Sequence, residues 1–73
     1  MALVDVPAPM TGSVREVLCA PGDRVVEGQE LVVIESMKME IPIESPATGT
    51  VAEVAVQPRQ PITEGTLLVR LEV

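Results

Sequence analysis

Residues 9 to 35 of this chain return, position by position, 37 residues later. Pro9 comes back as Pro46, Thr11-Gly12 as Thr48-Gly49, Val14 as Val51, Glu16-Val17 as Glu53-Val54 and Pro21 as Pro58. Glu27-Gly28 becomes Glu64-Gly65, Leu31-Val32 becomes Leu68-Val69, and Glu35 becomes Glu72. Val6/Ile43, Val25/Ile62 and Ile34/Leu71 are apolar exchanges in the same register. That register never slips, which chance does not explain. A unit this small cannot bury its own apolar face, so two copies must close on each other. The repeat divides one domain, residues 1–73, into halves of about 6–36 and 43–73.

Each copy reads as strand, turn, strand, turn, short strand, turn, strand. In the first, Leu3-Val4-Asp5-Val6 ends at Pro7-Ala8-Pro9, and Thr11-Gly12 turns the chain. Ser13 to Cys19 reads as a strand with Val14 and Leu18 on one face and Arg15 on the other, the alternation blurring at Glu16-Val17. Pro21-Gly22-Asp23 is a strong turn signal, Val25-Val26 a very short strand, and Glu27-Gly28-Gln29 a second turn. In the second copy Gly22-Asp23 is replaced by Arg59-Gln60, which points to a turn of a different type.

Composition favours the same architecture. There is no aromatic residue, so Val, Leu, Ile and Met must supply the core. β-branched side chains are stiff at χ1 and pack well on a pleated face. A chain this short buries only about 60% of its unfolded surface, which calls for an economical core. The expected fold is all-β: two four-stranded antiparallel sheets packed as a sandwich or flattened barrel, with few free edges and an internal pseudo-twofold axis. Val14, Val17, Ile34, Ile43, Val51, Val54 and Leu71 should lie inside, and Cys19, the counterpart of Val56, should be a small core residue.

At the centre of the repeat stands Glu35-Ser36-Met37-Lys38-Met39-Glu40, which holds the chain's single lysine. Leu31, Val32, Val33 and Ile34 lead in, and Met39, Ile41 and Ile43 alternate with Glu40, Pro42 and Glu44 on the way out. Two strands with almost nothing between them make a hairpin, residues 35–40, with Met37 and Lys38 at the tip. A two-residue hairpin turn normally takes Asn-Gly or a similar pair that tolerates positive φ; Met and Lys there break a local rule, which marks a place where function chose the residues. Met39 is in phase with Ile41 and Ile43 and should face inward, and Met37 should be exposed. The midpoint of the repeat falls near Lys38 and Met39, which places the tip at one end of the pseudo-twofold axis and both termini at the other.

Ser36-Met37-Lys38-Met39 resembles the attachment motif of biotinyl domains, whose centre is Met-Lys-Met. The likeness extends over nearly the whole chain, because biotinyl and lipoyl domains share the internal duplication and the central lysine hairpin. The resemblance implies a barrel-sandwich fold and a covalent biotin on Lys38, joined through an amide by a biotin protein ligase. It makes Met37 and Met39 flanking recognition residues. Glu35 and Glu40 read first as solvated hairpin residues, and with Ser36 they take a lesser part in orienting the site for a ligase. It also implies a biotin carboxyl carrier that takes CO2 from a biotin carboxylase to a carboxyltransferase or decarboxylase and is not itself an enzyme. In-register copies leave no room for the inserted thumb of some bacterial acetyl-CoA carboxylase carriers. The chain is thus more similar to the thumbless domains of pyruvate, propionyl-CoA and related carboxylases, and to small free-standing attachment proteins. Two alternatives stand beside this. One is a lipoyl carrier of a 2-oxoacid dehydrogenase complex, against which the flanking methionines speak; the other is an unmodified interaction barrel, against which the displayed lone lysine speaks.

Other chemistries find no purchase. With no histidine there is neither a Ser-His-Asp nor a Cys-His arrangement. No cluster has metal-ligand spacing, so neither a catalytic residue nor a metal site is expected. A net charge of −6 and four scattered arginines do not suit nucleic acid. The apolar runs are short and broken by charges, so no membrane insertion is expected. One cysteine allows no internal disulfide, and the N-terminus lacks the pattern of a secretory signal. A monomeric, cytoplasmic domain is the expectation.

Overall fold

The computed structural model describes residues 2–73. Eight strands follow in order: β1 (Leu3–Pro7), β2 (Gly12–Val17), β3 (Arg24–Val25), β4 (Glu30–Ser36), β5 (Met39–Glu44), β6 (Gly49–Val54), β7 (Pro61–Ile62) and β8 (Leu67–Glu72). They form two four-stranded antiparallel sheets, β1-β8-β6-β3 and β5-β4-β2-β7. Adding the 37-residue offset to β1, β2, β3 and β4 gives β5, β6, β7 and β8, so the two strand orders are one order related by a twofold.

Even the irregularities repeat. β2 pairs with β4 through Val14↔Ile34 and then Glu16↔Val33, leaving Arg15 as an extra residue. β6 pairs with β8 through Val51↔Leu71 and then Glu53↔Arg70, leaving Ala52. Such a bulge sets two residues against one. Arg15 and Glu16 both turn outward, with Val14 buried before them and Val17 half-buried after them. This is why the alternation read from sequence blurs at Glu16-Val17. A second matched pair of bulges lies between Glu30 and Val32 and between Val6 and Pro7. These bring the consecutive residues Leu31-Val32 and Leu68-Val69 wholly inside.

The copies interlock through turns that each cross to the other half. The amide N–H of Gly22 donates to the Val51 carbonyl and that of Arg59 to Val14; Gly28 donates to Ser45 and Gly65 to Ala8. The core is one cluster of Val, Leu and Ile from both sheets, with Cys19 and Val56 at matched places. Of the seven residues assigned to it from sequence, Val14, Ile34, Ile43, Val51 and Leu71 are buried, while Val17 and Val54 are half-buried and pack against its margin. Leu18 is a correction: β2 ends at Val17, before Leu18 can stay in phase, and its side chain is 43% exposed.

Edge strands meet across the axis. A groove of about 350 Å³ is lined by Asp5, Val6, Pro7 and Pro9 from one half and by their counterparts Pro42, Ile43, Glu44 and Pro46 from the other. β1 and β5 run toward this groove from opposite directions. The molecule measures 36 × 17 × 16 Å. The twofold therefore passes through the waist, not through the hairpin tip as the sequence midpoint suggests. It exchanges the tip with the chain ends, where Ala2 and Val73 pair through both backbone hydrogen bonds. Tip and termini thus stand at opposite ends of the long dimension, and the chain ends do not crowd the lysine.

Candidate functional site

The site is the turn between β4 and β5. Ser36 and Met39 are the last paired residues, and Met37 and Lys38 alone span the gap. Their φ angles are 53° and 65°, both in the left-handed region that a two-residue type I′ turn demands. For non-glycine residues that conformation costs about 1–3 kcal/mol each. The left-handed turn matches the right-handed twist of the flanking strands, so the hairpin closes without splaying.

Both tip side chains lie open to solvent, and Met37 is 92% exposed. Among the described residues Lys38 has no ion-pair partner. Met39 departs from expectation: it is 61% exposed and outside the core cluster. Its phase with Ile41 and Ile43 was legible, but the core ends at Ile34 and half-buried Ile41, and the strand runs on beyond it. The tip therefore carries an amine between two apolar, flexible, exposed thioether side chains.

Beneath the tip, Glu35 and Glu40 sit directly opposite each other on β4 and β5. Two carboxylates so placed repel. Arg15, the extra residue of the β2 bulge, reaches both: its Nη1 lies 3.6 Å from Glu35 Oε2 and its Nε 3.3 Å from Glu40 Oε2. Sequence reasoning missed Arg15 as a site residue. The available signal was its counterpart, Ala52, an apolar residue in the same bulge of the other copy.

Ser36 has a structural task. Its Oγ donates to the Thr11 carbonyl at 2.9 Å and ties the hairpin to the loop before β2. Gly12 makes that approach possible, since a Cβ there would meet the Glu35 carbonyl oxygen at 2.5 Å. Gly49 stands in the same relation to the Glu72 carbonyl. No group of three or more His, Cys, Asp or Glu among the described residues is placed to hold a metal ion.

This geometry offers one solvent-exposed primary amine on a braced, protruding turn. It suits covalent attachment of a carboxylic acid through an amide, because the amine is reachable and the hairpin beneath it is fixed.

Comparison with known proteins agrees. The family model described as "Biotin-requiring enzyme" matches residues 4–71. A "Biotinylated protein TB7.3 homolog" of Mycolicibacterium smegmatis is 54% identical over 39 residues, 53% of this chain and 55% of that protein. The mitochondrial propionyl-CoA carboxylase alpha chain of Caenorhabditis elegans is 58% identical over 33 residues, 45% of this chain and 5% of that protein. The chain thus spans only part of these relatives. A solved structure of a single-chain, multi-domain long-chain acyl-CoA carboxylase superposes with a TM-score of 0.88 at 31% identity, over 93% of this chain and 7% of the other.

Proposed function

The chain belongs to the biotin-requiring enzyme family, and from that membership we propose that it is a biotin carboxyl carrier with biotin joined to Lys38. One observation carries the assignment of the residue: the only lysine of the sequence stands exposed at the tip of a two-residue turn. A biotin protein ligase would supply the group as an activated acyl ester. Amide formation makes the bond from Lys38 Nζ to the carboxyl carbon. The bond from that carbon to its activating group breaks, with the electron pair leaving on that group, and the ammonium gives up two protons. When bound, biotin supplies a ureido nitrogen that takes up and releases CO2.

The chain's own residues bind no substrate in this reading. They present a tethered group, and a tether turns a diffusional transfer into an effectively intramolecular one. The domain is a non-catalytic monomer that meets a biotin carboxylase and then a carboxyltransferase or decarboxylase in the cytoplasm. That choice of partners is supported by the carboxylases among its relatives. A net charge of −6 keeps the carrier soluble and discourages lasting association. The lipoyl alternative is not supported by the relatives, one of which is itself named for biotinylation.

Intact-mass measurement after co-expression with a biotin protein ligase tests the reading. Wild type should gain one biotinyl group and Lys38→Arg none, while both melt alike, because a guanidinium is not acylated at working pH. Met37→Asp should keep its melting temperature and gain biotin more slowly. Modification at another residue, or a lipoyl mass on wild type, would overturn the assignment.

A further inference from the structure

Resting on the carrier reading, we propose that Arg15 is a positioning residue for the attachment step: it clamps Glu35 and Glu40 into a fixed pair of carboxylates that the ligase meets beneath Lys38. The bulge that presents Arg15 does not need an arginine, since Ala52 occupies the same bulge in β6. What differs between the copies is the strand pair that the bulge residue faces. In the hairpin Glu35 opposes Glu40; in the other half Glu72 opposes Leu3, and no like charges meet. The arginine is present where two carboxylates confront each other and absent where they do not.

Stability does not account for it. The three side chains are 52%, 48% and 60% exposed, and ion pairs so open to water contribute little to folding. What the bridge does is bias two rotamer-rich side chains toward one arrangement, so that a partner has less to order on binding. The arrangement faces open space. Arg15 and Glu35 line a broad groove of about 500 Å³ on the outer face of the sheet, together with Ser13, Val14, Glu16 and Arg59. A ligase approaching Lys38 across this face meets a guanidinium already ion-paired to both carboxylates.

Steady-state kinetics of biotin incorporation by a biotin protein ligase test the proposal. The set comprises wild type, Arg15→Ala, Arg15→Lys, the double variant Glu35→Gln/Glu40→Gln, and that double variant with Arg15→Ala added. Because Arg15 acts through the carboxylates, Arg15→Ala should raise KM for the carrier about two- to fivefold, the range an exposed ion pair supports, with kcat unchanged. Arg15→Lys should recover part of that rise, and Arg15→Ala should add nothing once both carboxylates are amides. An unchanged KM in Arg15→Ala overturns the proposal. So does the same rise in the glutamine background, which would mean that Arg15 touches the ligase itself. A rise in KM that follows a lowered melting temperature in both Arg15 variants would assign the residue to folding instead. A wild-type chain that accepts no biotin at all would overturn the carrier reading, and the proposal with it.

Discussion

The hairpin that carries Lys38 has a counterpart at the other end of the molecule: β8 beside β1, paired in the register that joins β4 to β5. The inner faces of the two regions are nearly interchangeable, with Ile34 matching Leu71, Val32 matching Val69 and Ile43 matching Val6. The outer faces share almost nothing. On the hairpin, Arg15 bridges Glu35 and Glu40 near the tip, and Val33 and Pro42 form an apolar pair below them. At the counterparts of Val33 and Pro42 stand Arg70 and Asp5, joined at 2.8 Å, with Glu53 at 3.4 Å completing a second bridge. The hydrogen bond and charge of Asp5 hold the Arg70 guanidinium above its ordinary pKa. The two copies agree where side chains pack and differ where they face solvent.

The two halves should share the core equally. Ile34 and Leu71 are both fully buried, on matched strands of opposite sheets. Cutting either to Ala removes a branched aliphatic side chain from the same cluster, and each should cost about 2–5 kcal/mol, a large share of what so small a domain has. Urea unfolding should give values close to each other, since each site lies in the other's image. A cost at Leu71 far below that at Ile34 would show that the second half does not bear the core as the first does.

Arg59-Gln60 looked in sequence like a different turn from Gly22-Asp23, and that expectation is corrected. Gly22 has φ 94° and Arg59 φ 73°, both after a proline. Asp23 N–H donates to the Ala20 carbonyl and Gln60 N–H to Gln57. Asp23 Oδ2 and Gln60 Oε1 cap the Ala20 and Gln57 amides in the same way, at 2.9 and 3.1 Å. Both are turns with Pro at the second position and a left-handed third residue, which glycine adopts without strain. Arg59 adopts it at a penalty, so Arg59→Gly should stabilise by about 0.5–1 kcal/mol and Gly22→Arg should destabilise by a similar amount. Thermal melts of the two single variants read the sign. A destabilising Arg59→Gly would mean that the arginine side chain holds the turn through contacts stronger than the backbone strain.

The repeat made the fold legible, because only two closed copies bury the apolar positions. The single lysine in the central hairpin made the tip legible. What lay hidden depends on lengths and registers that no one strand records. The alternation of Met39, Ile41 and Ile43 gives a face, not the point at which the core beneath it stops. Arg15 reads as outward-facing, but its approach to Glu35 and Glu40 follows from a bulge and the registers of three strands together. The common turn was masked because glycine is the easy occupant of a left-handed position, not the obligatory one.

The smallest expected difference between the halves is a pH effect at one core position. Cys19 and Val56 are matched and both buried. Burial pushes the Cys19 thiol above its ordinary pKa, and the charge of Asp23 pushes it further the same way. Asp23 is close because it caps the turn at Ala20; the turn beside Val56 is capped by neutral Gln60 instead. In the unfolded chain the thiol ionises near its ordinary value of about 8.5. Below that pH folded and unfolded chains both keep the proton, and Cys19 makes no pH-dependent contribution. Above it the unfolded state loses its proton first, so stability falls as pH rises until the folded thiol also ionises. Cys19→Val should remove that slope. Urea midpoints at pH 7 and at about pH 9.5, beyond the ordinary thiol value, should show a steeper alkaline loss in wild type than in Cys19→Val. Every other titratable group is common to both proteins, so the difference isolates the thiol. Parallel losses in the two proteins would show that the folded chain accommodates a thiolate at this position as readily as water does.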